Sequence, residues 1–498
     1  MKVLVYSVYF LTPPLERDLE IASNHLDKGD EVYFLRCRRQ LPSCLLNTRH
    51  RKSICSYCIG KYDRGLKIAG IPRSNILEIP PLPSSGYPEI PDSFRDVDEL
   101  QQFTYDGADI GMAVYNTLIW NFNKDYRFST EQYKKEIKTE LTMSVHVYQT
   151  AMDLLKKMKP DLVYFFNGRH STTRPFLRAC RKLGITLFTH ERAGVFSRYQ
   201  LIENSFPHDL DHVAGEIEPI WEAGGKDREK IGEKFFQDRK NRVVNAWFSF
   251  TEEQRQGMIP KGYDKNRKNV ILFNSTMQEM EGLPWFKNRI YKNEIDALEK
   301  ILESFKGDDN IRFYLRIHPN LHEKFRKITP ENNTQLREIM EFDTRYENLH
   351  VIPPDSPIDS YALLEMGDVI IVFGSTMGAE ATFWGKPSIL AGSGAFYQSL
   401  DSCYKPESHE ELVSLLKSDL EPKSRAECIK YGYYELNKGV LYKKFKHTGV
   451  LKGSFMGQKV VPSLPRRLLS YFLRILEVRN RQELESFIQD FRKKFSRD

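Results

Sequence analysis

Short unbroken apolar runs alternate with amphipathic stretches along this chain, the pattern of strands buried on both faces with helices laid over them. Lys2 to Val8 reads as a first buried strand, Leu15 to Leu26 as an amphipathic helix stopped by Gly29, and Glu31 to Leu35 as the next strand. This is a βαβ opening, but it lacks G-x-G-x-x-G and so carries no dinucleotide fingerprint. Residues 79 to 97, rich in Pro and Ser, read as a surface excursion. Residues 130 to 158 carry a helical pattern that Pro160 stops. Leu162 to Phe166 then runs into Asn167-Gly168-Arg169, and Ile185 to Phe188 into His190-Glu191-Arg192. The densely charged stretch from Gly225 to Arg242 reads as a solvated helix joining two domains. From Lys268 to about Leu416 strand and helix alternate again. Three runs there end in polar turns: Val270 to Phe273 before Asn274-Ser275-Thr276, Ile311 to Ile317 before His318-Pro319-Asn320, and Val369 to Phe373 before Gly374-Ser375-Thr376.

At 498 residues the chain exceeds one ordinary core, so an α/β protein of two domains is expected. Its divisions are residues 1–245 (with a Cys-rich loop over 37–58 and an excursion over 73–130), a linker over 246–267, a second domain over 268–445 and a tail over 446–498. The net charge of +7 fits an anionic substrate or a membrane surface without demanding either, and nucleic acid is not an expected partner. No apolar run approaches the roughly 18 residues that span a bilayer. The N-terminus lacks the small-residue cleavage site of a signal peptide, and a cytoplasmic location follows as the expectation.

In an open α/β sheet, ligands bind outside the carboxyl ends of the strands. Ser375 and Thr376 would start a helix whose free N–H groups suit a phosphate, and Glu380, one turn in, can accept from two vicinal ribose hydroxyls. The plainer reading is an N-cap with Glu380 as its dipole partner. Gly385-Lys386 is no Walker loop, because Pro387 replaces the required hydroxyl residue. Alternation places Arg316 and His318 on one face, where a cation and an imidazole can bind a diphosphate or protonate a leaving phosphate. On the first half, Asn167, Arg169 and Arg192 accompany Glu191 at strand ends. A carboxylate able to take a proton beside cations is what sugar transfer requires, and a structural Glu–Arg pair at a domain interface is the alternative.

These residues carry a resemblance. The Gly374-Ser375-Thr376 turn, Glu380 and Gly385-Lys386-Pro387, preceded by Arg316-x-His318-Pro319, resemble the donor half of GT-B glycosyltransferases. The look is that of bacterial capsule and lipopolysaccharide polysaccharide-synthesis transferases, a group that includes Kdo, sialyl- and polysialyltransferases with His-Pro and Ser-Ser/Thr motifs. The resemblance implies two facing Rossmann-like domains, a C-terminal helical tail and a donor site without catalytic metal. It further implies transfer of a sugar from a nucleotide sugar, CMP-linked or otherwise, to an oligosaccharide or lipid-linked acceptor. By it, His318 and Pro319 match the His-Pro motif at the donor phosphate, Ser375 and Thr376 the hydroxyl pair, and Glu380 the ribose carboxylate. The acidic-acidic-Gly base motif is matched only in part, by Tyr105-Asp106-Gly107, so Asp106 and Glu191 are rival bases. A nucleotide-sugar epimerase of the same fold and a non-catalytic nucleotide- or carbohydrate-binding partner are the alternative functions.

Two further features stand outside that crevice. Cys37, Cys44, Cys55 and Cys58 follow a C-x6-C-x10-C-x2-C spacing in a basic loop, which suits a structural zinc; an iron–sulfur cluster needs the same ligands, and buried thiols need none. In the tail, Leu468, Leu469, Phe472, Leu473 and Leu476 recur at helical spacing among Arg466, Arg467, Arg474 and Arg479. Such a helix either packs back across the first domain or lies in an anionic membrane interface.

Overall fold

The computed structural model describes residues 1–478 apart from 85, 88, 123–124, 278–281, 284–289 and 323–327. Arg479 and the rest of the tail lie outside the described residues. The first half runs β1 (Lys2–Ser7), α1 (Pro14–Asp27), β2 (Glu31–Arg36), α2 (Lys52–Ile68), β3 (Ile76–Glu78), α3 (Val97–Gln102), α4 (Ile110–Asn121), α5 (Lys134–Met158), β4 (Leu162–Phe166), α6 (Arg174–Lys182), β5 (Leu187–Arg192), β6 (Arg198–Glu203), α7 (Leu210–Glu222) and α8 (Arg228–Lys240). The second half runs β7 (Lys268–Phe273), α9 (Glu294–Ser304), β8 (Ile311–Arg316), α10 (Thr334–Arg345), β9 (Leu349–Ile352), α11 (Ser360–Met366), β10 (Val369–Val372), α12 (Met377–Phe383), β11 (Ser388–Leu390), α13 (His409–Lys417) and α14 (Arg425–Asn437). β12 (Val440–Leu441), β13 (Phe445–Gly449), β14 (Lys452–Phe455) and α15 (Leu464–Leu476) complete the chain.

Two sheets organise it. In the first the spatial order is β12-β6-β5-β4-β1-β2-β3, in the second β11-β10-β7-β8-β9. From β3 to β5 the first sheet is parallel, with β6 antiparallel to β5. The second is parallel throughout. Both orders reverse beside their first strand, β1/β4 and β7/β10, which is the doubly wound topology with its ligand crevice at the reversal. Their strands are apolar runs because helices cover both faces: one core cluster lies on either side of each sheet. The α/β class with two Rossmann-like sheets is as expected.

The sheets divide the chain less simply than its sequence suggests. Helices α7 and α8 pack on the second sheet, with Val213, Ile217, Phe235 and Phe236 in one cluster with Ile271 and Ile370. Residues 210–240, assigned above to the first domain, therefore cover the second. After α14 the chain crosses back, and β12 pairs with β6 of the first sheet through Val440–Tyr199 and Leu441–Arg198. Gly194 makes that crossing fit: a Cβ there would sit 2.0 Å from the Glu435 carbonyl oxygen. The second unit thus ends near residue 438, before the boundary of 445 drawn from sequence.

Candidate functional site

At the second sheet's reversal the turns after β7 and β10 lie side by side. Glu294, the first residue of α9, reaches behind the β7 turn and accepts from the Ser275 N–H at 3.2 and 3.0 Å. Gln335 bridges the same turn, donating to the Ser275 carbonyl at 2.8 Å and accepting from the Met277 N–H at 3.2 Å. Asn274 accepts from the His318 N–H at 2.7 Å, which ties the turn after β7 to the one after β8. The hydroxyls of Ser275 and Thr276 are buried with no protein partner. Polar atoms in that condition are rare and are met by water or ligand.

His318 accepts the Asn320 N–H on Nδ1 at 3.1 Å, which leaves the proton of a neutral ring on Nε2. Pro319 follows it past the end of β8, as expected. Arg316 does not accompany it. Its guanidinium is buried and donates to the Pro353 and Ser356 carbonyls at 2.9 and 3.1 Å, and burial pushes its pKa down to about 10. Strand alternation put the residue on the right face, but two carbonyl acceptors hold its charge within the protein.

Arg239 takes the place intended for Arg316. From the last turn of α8 it donates through Nη2 to Thr376 Oγ1 at 2.8 Å and through Nε to Glu380 at 2.8 Å, with 41% of its side chain exposed. Glu380 is fully buried, and its second oxygen accepts from Tyr361 at 2.5 Å. Thr376 Oγ1 also donates to Glu380 at 3.0 Å. Both Glu380 oxygens are thus occupied, so this carboxylate holds Thr376 and Arg239 in position; it does not stand open to a ribose. Tyr397 fixes the turn below through the Ser375 carbonyl, at 2.6 Å. Gly374 opens the turn at φ 150°, beyond easy reach of an L side chain. The helix after it spans only Met377–Phe383, so the positive charge here comes from Arg239 more than from a macrodipole.

On the first sheet, Asn167 sits in the left-handed region at φ 62° and turns its amide onto Glu191 Oε2 at 3.0 Å, while its oxygen accepts from Arg169 Nε at 3.2 Å. Glu191 lies inside β5, paired with Gln200 of β6, because the strand runs to Arg192 and not to Phe188 as read from sequence. Burial alone would raise its pKa, but the Arg17 and Arg192 guanidiniums outweigh burial and hold it at about 2. Arg17 Nη1 is 3.6 Å from its Oε1. The structure therefore brings Asn167, Arg169, Glu191 and Arg192 together as expected, and adds Arg17. That arginine belongs to a stretch of α1, the helix read as amphipathic, whose charged residues Glu16, Arg17, Asp18 and Glu20 are all buried.

Asp106 is elsewhere. It binds Lys182 Nζ at 2.5 Å, at the far end of α6. That helix starts at the carboxyl edge with Arg174 and runs back over nine residues, about 13 Å, so Asp106 lies near the opposite edge of the sheet. Its loop merely resembles a base motif in letters.

The linker joins the halves. Trp247 stacks on Arg192, ring centroid 4.0 Å from the guanidinium carbon, and Phe250 meets the His318 ring at 5.1 Å. Three Cα steps span at most about 11 Å, so this stretch of linker carries the chain over the gap between the ends of β5 and β8. His208 bridges it too, its ring 6.0 Å from Phe396 and its Nδ1 buried without a partner. None of Arg17, Arg239, Trp247 or His208 ends an apolar run, which was the signal that identified the others.

The cysteines stay as four free thiols. Burial raises the pKa of each, to about 12 for Cys44. Among the described residues no group of three or more His, Cys, Asp or Glu is arranged to hold a metal ion.

No family model and no curated protein matches the chain. Among solved structures it is similar to Thermosulfurimonas dismutans KpsC, a beta Kdo 2,4 transferase, at 13% identity over 55% of this chain and 79% of that one, with a TM-score of 0.34. It is also similar to UDP-GlcNAc 2-epimerase from Neisseria meningitidis, at 13% identity over 88% and 95% with a TM-score of 0.23. The Methanocaldococcus jannaschii UDP-GlcNAc 2-epimerase gives 10% identity over 86% and 98%, with a TM-score of 0.25. At TM-scores this low neither substrate nor reaction follows from the likeness, and the site's own geometry has to carry both.

Proposed function

We propose that this chain is a GT-B-like glycosyltransferase, moving a sugar from a nucleotide-activated donor to an oligosaccharide or lipid-linked acceptor in bacterial surface-polysaccharide synthesis. The observation that supports it most is the linker, with Trp247 on Arg192 and Phe250 on His318, which runs between the strand ends that carry Glu191 and His318. On the donor side Arg239, held in place by Thr376, the hydroxyls of Ser275, Thr276 and Ser375, and His318 surround the nucleotide phosphate. Their charge and N–H and O–H donors stabilise the leaving diphosphate or monophosphate as the bond to the sugar's anomeric carbon breaks. On the acceptor side Glu191 stays ionised and accepts a hydrogen bond from the attacking hydroxyl. A carboxylate this acidic takes the proton only late, as the new glycosidic bond forms and the hydroxyl becomes a strong acid. No catalytic metal enters this reading.

Thermal shift with CMP, CDP, UDP and GDP tests the donor half, because a ligand that binds only the folded state raises its stability by mass action. One nucleotide should stabilise the chain, and the matching sugar nucleotide should be hydrolysed slowly without acceptor. Interconversion of the sugar instead would make it an epimerase, and binding without turnover a non-catalytic partner.

The chain's tail adds a location to this reading. Helix α15 docks on α2, where Gly60 lets the Arg466 and Pro462 side chains close in and Glu477 accepts from the N–H groups of Lys52 and Ser53. Its other face leaves Leu464, Leu468, Leu469, Phe472, Ile475 and Leu476 exposed. We read that face as a contact with the anionic membrane surface that holds lipid-linked acceptors. No helix among the described residues is long and apolar enough to cross a membrane.

A further inference from the structure

The linker is held at both ends and bare in the middle. Its first part is fixed to the first sheet, where the Phe196 N–H donates to the Asn245 carbonyl at 2.8 Å. Its last part is fixed to the second, through Arg255 N–H to Pro357 at 2.8 Å and Gly257 N–H to Asp359 at 2.8 Å. Between these anchors Trp247 and Phe248 keep 38% and 46% of their surface exposed, although apolar area in water is unfavourable and both rings sit beside a polar crevice. They are also oriented. The Arg192 guanidinium covers one face of the indole at 4.0 Å, and Phe248 stands against it at 5.3 Å with planes 65° apart. Two aromatic walls meeting at a steep angle, one of them braced by a cation, form a corner.

We propose that this corner is the subsite for a pyranose ring of the acceptor saccharide, a claim that rests on the glycosyltransferase reading and specifies how its acceptor is held. A pyranose presents on one face axial C–H bonds whose hydrogens carry partial positive charge. The π face of an indole or phenyl ring is negative and can stack against them. Sugar hydroxyls at the ring's rim would stay in water or reach the crevice, so the corner needs no polar partner of its own. Arg192 neighbours Glu191 in β5 with its side chain on the opposite face of the strand, so a ring seated on Trp247 rests at the same strand end as the carboxylate. The site is built from a linker, not from either domain, and it is complete only when both anchors hold.

Tryptophan fluorescence of the full chain, titrated with oligosaccharides of dextran, alginate, heparosan and polysialic acid, tests it. At least one should change the emission saturably. Its affinity, read by titration calorimetry because two of the variants lack the reporting indole, should fall about tenfold in Trp247→Ala and Phe248→Ala while Trp247→Phe keeps it within threefold, as expected when a stacked ring and not the chain's integrity is lost. Nucleotide binding by thermal shift should be equal in all four proteins, which separates this subsite from the donor site; loss of nucleotide binding in the parent chain would overturn the enzyme reading instead. If no saccharide changes the emission, or Trp247→Ala binds as tightly as the parent chain, the subsite is wrong. If Trp247→Ala converts a dimer to a monomer in sedimentation, the corner is an interface between copies of this chain.

Discussion

A fully buried carboxylate needs a counter-charge or it protonates, and Glu380 has Arg239, Tyr361 and Thr376 around it. Removing the cation leaves Tyr361 and Thr376 to hold the charge. Arg239→Ala should therefore cost about 1–3 kcal/mol of stability by denaturant unfolding and weaken nucleotide affinity, whereas His318→Ala should weaken affinity with stability unchanged. Nucleotide affinity unchanged from the parent chain in both variants, measured by titration calorimetry, would remove the donor assignment. On the other side of the crevice, Glu191→Gln should abolish transfer and leave nucleotide binding near normal. Asp106→Asn should be fully active, since its partners are Lys182 and Tyr148 at the far edge of the sheet. A dead Asp106→Asn enzyme beside an active Glu191→Gln one would reverse the two roles. Glu191 and His318 were legible because each follows or ends an apolar run. Arg239 was not: it lies more than a hundred residues before Thr376, in a helix whose charges looked solvated, and only the docking of α8 on the second sheet makes the contact.

Helix α9 shows how an element sets the donor turn. Asn293 caps it by accepting the Asp296 N–H, and Glu294 then points both oxygens back at the Ser275 N–H. Burial pushes the Glu294 carboxyl up to about 8 despite hydrogen bonds from Ser275, Asn274 and Gln335 that favour its charged form. In the unfolded chain it titrates near an ordinary carboxylate value, about 4.3. Between those two values the folded state holds a proton that the unfolded state has lost, so stability falls as pH rises through that window. Thermal melts from pH 5 to 8 should show this decline, and Glu294→Gln, neutral at every pH, should flatten it; an unchanged slope would mean that Glu294 is already ionised when folded. β1, β4, β8 and α1 were legible within a residue or two. Helix ownership was not. The apolar stripes of α7 and α8 state that each must cover a sheet, and nothing in their spacing says which one. β12 was missed outright, since two residues carry no periodicity.

At the scale of the molecule, the returning chain fastens the first domain to the second through β12 and then carries α15 across α2. That route explains why the tail's helix can be both docked and amphipathic outward, two readings that sequence set against each other. Arg466 and Pro462 close on Gly60 in the seam and Ser470 is buried, while Leu468, Phe472 and Ile475, spaced three or four apart, all face out. Arg466, Arg467 and Arg474 stand along the same helix, and the chain's net charge of +7 gives a surface rich in anionic lipid a general attraction besides. The full chain should float with vesicles rich in anionic phospholipid and stay behind with neutral ones. Leu468→Glu with Phe472→Glu should abolish flotation at unchanged stability, because both side chains are already in water and their replacement empties no core. Arg467→Glu should raise the lipid charge needed for binding without abolishing it in the absence of salt. Equal flotation of the parent and the double variant would mean that the exposed stripe serves something other than a membrane.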